Sequence, residues 1–485
     1  MSIKEETMQE YGYYVGGKFK KSRDRIEVIN PVTEELCAHI FETTKDDLEF
    51  AIQSGRSAQK EWKKTPFKER ANVLREIAKT ILGNLKELAE LEAKEIGKPF
   101  KEPLFVDIPL GADCFNYYAS LLDSLEEESI QSDLGIDLIR YEPFGVAGIY
   151  LPYNVPLMTF GFSCAAALAA GNALIIKPSE YGSLSLLGLA QYIDTLDTPK
   201  GLINVVTGRG ESMGKLLAES TVDMISFTGS RDTLKKIIAR SKDVPKKIIC
   251  ELGGCNFTVV FSDADKEEAI QNILGSSFMK QGQMCVGTSV VLIQDSVYDD
   301  IVGQLKKRAL KIQLGDPFDP MVGMGPLPTR EHLENIHQRV KGLQVKGAKI
   351  ICGAKSLNQK GYFYPPTIIE TKEALYEEFF APVILIKRFR TRLEVEEIIE
   401  KNPTGLVMQI WTKDIPFAEQ LAQKASCGTV WINTFVQMSS QTPFGGMRSS
   451  GWGRNLGKFG FFEYIQPKHI GIGFKKSPVS GWFGI

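Results

Sequence analysis

The stretch KQGQMCVG, residues 280–287, sets Cys285 in a short polar, glycine-containing segment between a helix-like run and the strand-like TSVVLIQ. A thiolate attacks electrophilic carbon well and a thiol poorly, so such a cysteine needs a positive field or hydrogen-bond donors to lower its pKa. The preceding KQG offers backbone amides and the Lys280 ammonium. An isolated cysteine otherwise reads as a small core residue, because free cysteine is among the most buried types. Glu251, in CELGGCN, follows an apolar run and is flanked by glycines that permit close backbone approach; it is a base or a surface carboxylate. Asn154, in LPYNVP, is an amide donor or a turn residue between prolines. The segment FTGS at 227–230 ends a strand-like run and opens a helix-like one, where free amides attract a phosphate, although it is no GxGxxG. Lys177 and Glu180, in KPSE, hold a ribose or form a plain turn.

What must position these residues is an alternation that begins near residue 145. Short β-branched runs (GVAGIYLP, ALIIKPS, LINVVTG, MISFTG, KIICELGG) are separated by helical stretches at 158–170, 183–197, 211–219 and 231–241. That pattern predicts a parallel sheet covered by helices. Ligands of open α/β sheets sit at the carboxyl ends of the strands, and the residues there are Asn154, Lys177, Glu180, Gly208, Gly229, Ser230 and Glu251. A dinucleotide site is the natural reading. A second α/β series runs from TSVVLIQ to GTVWINT, with Cys285 at its entrance, so a cleft between two lobes would set the cysteine opposite the cofactor edge. Before both, residues 66–96 repeat apolar positions at helical spacing, as one long helix or a pair, and GKP at 97–99 supplies a stop.

The 485-residue length exceeds what one core usually serves, which fits two lobes. Acids and bases balance at 59 against 58, so nothing in the charge suggests a nucleic-acid partner. The first twenty residues carry both charge signs and fit neither a signal nor a transit peptide; the expectation is a cytoplasmic protein without a membrane partner. The longest apolar stretch, FGFSCAAALAAGNALII, is broken by Gly171 and Asn172 and reads as helix, turn and strand. Eight scattered cysteines form no CxxC pair, and the closest two of the four histidines are five apart, so neither disulfides nor a metal site is expected.

Taken together, PFGVAGIYLPYNVPL, IIKPSE, FTGS, ELGG, QGQMC, GDPFD, EEFFAPV, GTVWINT and PFGGMRSSGWGR occur in an order and spacing that resembles the aldehyde dehydrogenase superfamily across essentially the whole chain. The resemblance implies two Rossmann-like α/β lobes with a small β oligomerisation arm. It places the cofactor domain at 1–122 and 142–252, the catalytic domain at 253–450, and the arm and tail at 123–141 and 466–485. It implies oxidation of an aldehyde through a cysteine thiohemiacetal and thioester, with Cys285 as nucleophile and Asn154 with the Cys285 amide as oxyanion donors. Glu251 would be the base that activates water. The cofactor residues it implies are Lys177, Glu180, Gly208, Phe227, Gly229, Ser230, Leu252, Glu378 and Phe380. NAD is expected over NADP, because an acid at Glu180 repels a 2′-phosphate. The positions it assigns to the aldehyde tunnel, Val155, Met158, Thr159, Phe162, Met284, Val286 and 435–440, are mostly apolar and lack an arginine, which predicts a neutral aliphatic or aromatic aldehyde. A homodimer or homotetramer is implied by the arm.

Three positions depart from the family's usual pattern. Leu234 stands where glycine is general, which bears on how its helix packs near the cofactor; Cys255 replaces a common lysine and invites a second-nucleophile reading; Lys280 stands where asparagine is frequent. The alternatives are a coenzyme A-acylating or NADP-preferring dehydrogenase, a cysteine hydrolase, or a catalytically diverged structural homologue. The first two are disfavoured by Glu251 and Glu180, the hydrolase by the lack of a histidine partner motif.

Overall fold

The structure is a computed structural model that describes residues 9–355, 357, 359–372, 376–475, 479–480 and 482–483. The start of the first assigned segment, residues 1–8, and parts of the 466–485 tail lie outside the described residues.

The alternation after residue 145 builds the central part of an eight-stranded sheet. Its strands lie in the order 451–452, 247–252, 224–229, 146–151, 173–178, 203–205, 13–15 and 18–20. The five middle strands are parallel, and the three flanking ones pair antiparallel. Val146–Leu151 and Ala173–Pro178 are buried along their whole length, as continuous apolar runs covered on both faces must be. Helix Pro156–Ala170, apolar all round and buried at nearly every position, fills one side. From Val146–Leu151 the chain winds outward through 173–178 and 203–205, then crosses to 224–229 on the other side. That reversal of direction is the topological switch point, where the two flanking connections diverge and leave a crevice.

The second series forms a seven-stranded sheet in the order 349–352, 367–370, 383–389, 290–294, 257–260, 407–411 and 429–432, parallel except for its first strand. Phe257–Val260, fully buried near its centre, is a strand absent from the sequence-based expectation, because it is only four residues long and just two residues separate it from ELGG. Separate apolar clusters cover its two faces. Two Rossmann-like lobes are thus present.

The apolar repeat over 66–96 is a helix pair, Phe67–Gly83 and Leu85–Ile96, parted at Asn84, where φ is −115° and ψ 17°. The arm is a three-stranded antiparallel sheet in which Gly135–Pro143 is flanked by Glu128–Gln131 and Ile465–Gly473. Ile130, Leu134, Ile470, Ile472 and Phe474 stand exposed on it. No helix among the described residues is long and apolar enough to cross a membrane, and no disulfide joins any of the eight cysteines.

Candidate active site

The carboxyl ends of the first sheet open into a cavity of about 1600 Å³ that the second lobe completes. Its lining brings together Asn154, Lys177, Glu180, Phe227, Gly229, Ser230, Glu251, Leu252, Cys285, Glu378 and Phe380, residues spread over more than 220 positions of sequence. Gly208 is the exception: it is absent from that lining, and a Cβ there would meet Met213 and Glu42, while its neighbour Gly210 reaches the cavity.

Cys285 lies just before strand Val290–Gln294, held by loop hydrogen bonds on both sides. Asn256 Nδ2 donates to its carbonyl at 2.7 Å and to that of Gly287 at 2.9 Å. Before it, the chain passes through Lys280, Gln281 and Gly282 with φ of 51°, 56° and 69°. Only glycine fits at 282, since a Cβ would stand 2.2 Å from the carbonyl oxygen of Ala381. Burial pushes the thiol up to about 12, and the carboxylates of Glu251 and Glu378 add to the rise, while the backbone amides of Val286 and Cys285 oppose it. The expectation that Lys280 lowers this pKa does not hold in its simple form: the ammonium is buried and paired with Asp107 at 3.0 Å.

Asn154 follows the end of Val146–Leu151 and is buried. Its Nδ2 donates 2.7 Å to the carbonyl of Gln283, which spends one N–H and orients the other. Tyr153, which the sequence reading passed over, lines the cavity as well; its hydroxyl donates to Gln283 Oε1 at 2.6 Å, and its ring meets that of Phe380 edge-on at 6.2 Å. No composition signal marks it apart from the neighbouring Asn154.

Glu251 is the penultimate residue of strand Lys247–Leu252, and the late motif PFGGMRSSGWGR explains its surroundings. Gly451–Trp452 pairs antiparallel with Cys250 and Glu251, and Ser450 accepts the Leu252 N–H at 3.0 Å. A Cβ on Gly445 would stand 2.6 Å from Glu251 Oε1, so the carboxylate rests against bare backbone. Burial holds its carboxyl well above the ordinary carboxylate range, against the pull of Arg454 and the Gly446 amide. A carboxylate so desolvated is a strong base once ionised.

At the other end of the cavity, helix Arg231–Arg240 begins at Ser230, whose side chain caps it by accepting the Thr233 N–H at 3.2 Å. Ser230, Arg231, Asp232 and Thr233 line the cavity, so the start of that helix, where an anion gains most, borders it. Lys177 donates to the Pro178 carbonyl at 2.9 Å and stands 3.7 Å from Glu180 Oε2, while Glu180 Oε1 accepts the Gly210 N–H at 3.2 Å. An ammonium and a carboxylate side by side suit the vicinal hydroxyls of a ribose, and the volume accommodates a dinucleotide. Glu378 is pushed up to about 7, chiefly by burial. Gly253 faces it, with room for no Cβ: one would lie 2.3 Å from Glu378 Oε2.

Val155, Met158, Thr159, Phe162, Met284, Val286, Val436 and Met438 line the remaining part of the cavity, joined by Leu110 and Phe444. The arginines that reach the cavity include Arg231 and Arg240 on the helix after Ser230, and Arg339, which donates to the Glu378 carbonyl at 2.6 Å. They stand with the helix that follows Ser230 and with Glu378, apart from this apolar part. Cys255 does not line the cavity; it is buried, with its amide on Thr404 Oγ1 at 2.9 Å. Leu234 packs into the first lobe's core. Among the described residues no group of three or more His, Cys, Asp or Glu is placed to hold a metal ion.

Comparison with known proteins gives a consistent result. The model of the aldehyde dehydrogenase family matches residues 19–470. The chain is 38% identical over 470 residues to betaine aldehyde dehydrogenase of Bacillus subtilis (strain 168), covering 94% of this chain and 95% of that one. It is 34% identical over 455 residues to retinal dehydrogenase 2 of Homo sapiens, covering 92% and 88%. Among solved structures, an NAD+ complex of aldehyde dehydrogenase from Bacillus cereus is similar with a TM-score of 0.94 at 32% identity, covering 96% of this chain and 97% of that one.

Proposed function

The chain belongs to the aldehyde dehydrogenase family, and on that premise we propose that it oxidises a neutral aliphatic or aromatic aldehyde to the carboxylic acid with NAD as oxidant. The observation that carries this reading is a single cavity that holds Cys285, Asn154 and Glu251 together with Lys177, Glu180 and Ser230.

The Cys285 thiol gives its proton to solvent water, and the thiolate sulfur then attacks the carbonyl carbon. The oxygen becomes an alkoxide beside the free Asn154 Nδ2–H and the Cys285 amide, donors aimed at charge that exists only after attack. NAD+, when bound, supplies the acceptor for the hydride that leaves this carbon. The thioester that remains on Cys285 is hydrolysed by water whose proton passes to Glu251, and the thiolate is released with the acid. Lys177 and Glu180 would hold the adenosine ribose, Phe227, Gly229, Ser230 and Leu252 the walls around the pyrophosphate, and Glu378 with Phe380 the nicotinamide half.

A carboxylate at Glu180 favours a 2′-hydroxyl and repels a 2′-phosphate, which supports NAD over NADP. The apolar side chains around Met158, Phe162 and Met438 support a neutral substrate, since an anionic one would need a cation that this end of the cavity does not spare: Lys280 is already paired. The exposed apolar edge strands of the arm support a homodimer or homotetramer. We assign 1–122 and 142–252 to the cofactor domain and 253–450 to the catalytic domain, and a cytoplasmic setting suits eight thiols without a disulfide. Stopped or steady-state measurement of NADH formation across neutral and anionic aldehydes, with and without coenzyme A, tests the reading. A preference for an anionic aldehyde over a neutral one of similar length would refute the substrate class, and strict dependence on coenzyme A would refute the hydrolytic step.

A further inference from the structure

Beneath the Asn154 corner lies a buried charge cluster that the chemistry above does not use. Lys98 is 0% exposed; its Nζ stands 2.5 Å from Glu92 Oε2 and 2.9 Å from Asp107 Oδ2, and donates to the Asn154 carbonyl at 3.1 Å. The other Asp107 oxygen, Oδ1, lies 3.0 Å from Lys280 Nζ. The nucleophile loop is tied to the same region twice more, by the Lys280 N–H on Glu102 Oε1 at 3.1 Å and by Gln281 Nε2 on the Gly97 carbonyl at 2.8 Å. Glu92 Oε1 in turn accepts the Leu157 N–H at 3.1 Å, in the turn after Asn154.

Charges alternate along this chain: Glu92, Lys98, Asp107, Lys280. Burial alone would push the Asp107 carboxyl up, yet Lys98 and Lys280 more than offset it and hold it below the ordinary range. Among the described residues, Asp107 pairs with both the lysine gripping the Asn154 loop, Lys98, and the lysine opening the Cys285 loop, Lys280. Lys280 takes a left-handed backbone conformation, with φ 51° and ψ 33°, that a lysine adopts only when its surroundings impose it. The departure from asparagine at this position thus comes with a dedicated buried partner.

We infer that Asp107 is a positioning residue for aldehyde oxidation: through Lys98 and Lys280 it fixes Asn154 and Cys285 relative to each other, so that both reach one carbonyl group. The inference rests on the reading of Asn154 and Cys285 as oxyanion donor and nucleophile. Misplacement of reacting groups by about 1 Å costs on the order of 100-fold in rate, which sets the scale of the effect.

The test compares the wild type with D107N, K280M and the double variant D107N/K280M, measuring kcat, the dissociation constant for NAD and the melting temperature. Each single variant strands a buried charge and should lose both stability and kcat, the latter by about 10- to 100-fold, with NAD binding within about twofold, since no member of the cluster touches the ribose end. The double variant removes both charges together and should recover the melting temperature while kcat stays low, because nothing then ties the nucleophile loop to Asp107. If kcat returns with the melting temperature in the double variant, the cluster serves stability alone and the inference falls. Should the single variants fail to fold, the double variant carries the comparison. A wild type that forms no NADH with any aldehyde would overturn the underlying reading and the inference with it, whereas an active wild type and a fully active double variant would overturn the inference only.

Discussion

Asn154 Nδ2 donates 2.7 Å to the carbonyl of Gln283, two residues before Cys285, so the proposed oxyanion donor is hydrogen-bonded to the very loop that carries the proposed nucleophile. One N–H is fixed by that bond and the other is aimed, without cost at the moment of reaction. Asn154→Ala is expected to lower kcat by about 100- to 1000-fold, while the melting temperature and the KM for NAD stay close to the wild-type values. Steady-state kinetics with saturating NAD check this; a KM effect with unchanged kcat would show that Asn154 only binds substrate.

Much of this site was legible because its residues end strands. Asn154, Lys177, Gly229 and Glu251 each follow or close an apolar run, and the switch-point rule gathers such ends without any knowledge of packing. Gly208 obeyed the same rule yet lies off the cavity, because its strand is only Ile203–Val205 and the chain has already turned away by residue 208. Asp107 and Lys280 were not legible as partners: they are 173 positions apart (280 − 107), and nothing local distinguishes a buried ion pair from two surface charges. Phe257–Val260 was hidden by its brevity, although it lies near the centre of the second sheet.

The pH dependence of Cys285 follows from its burial and from the charges of Glu251 and Glu378. A thiol pushed up to about 12 is almost wholly protonated near neutrality, so alkylation by iodoacetamide without cofactor should keep rising beyond pH ~9, past the ordinary thiol value of about 8.5. Glu251→Gln removes one of the charges that hold the thiol up. Labelling in alkaline buffer should then quicken, roughly threefold for each half unit of lowering, even as turnover is lost with the base. Peptide mapping of the alkylated protein follows the labelling; a plateau already reached at neutral pH would show that burial does not hold this thiol up.

Glu251 carries the second pH effect. Its carboxyl is held well above the ordinary range by burial, and only the ionised form accepts a proton from water. Thioester hydrolysis should therefore keep gaining rate as pH rises above the ordinary carboxylate range. Acid release followed from the preformed thioester on Cys285, a step that needs no further ionisation of that thiol, isolates this titration; a hydrolysis rate that does not fall in acid would place the base elsewhere.

Cofactor choice is predicted to rest on Glu180, whose carboxylate is held between the Gly210 amide and Lys177. Glu180→Gln removes the charge that repels a 2′-phosphate, so the ratio of kcat/KM for NADP to that for NAD should rise by about tenfold or more, one unit of free energy near 1.4 kcal/mol. An unchanged ratio would locate selectivity in another group.

The arm offers a test of assembly. Ile470 and Ile472 stand exposed on its outer strand, Ile465–Gly473, which pairs on one side only, with Gly135–Pro143. Ile470→Lys with Ile472→Lys should shift the protein toward a lower oligomer in light scattering, with the first-lobe core untouched. A wild type that is a stable monomer near 54.0 kDa would remove the basis for this prediction.

Absorbance at 340 nm reports whether Cys285 is the nucleophile of an NAD-dependent aldehyde oxidation. Wild-type protein, Cys285→Ala and Cys255→Ser are each given NAD and a neutral aldehyde without coenzyme A. NADH formation is expected from the wild type and from Cys255→Ser, whose altered residue does not line the cavity, and none from Cys285→Ala. Substantial NADH formation by Cys285→Ala would contradict that role.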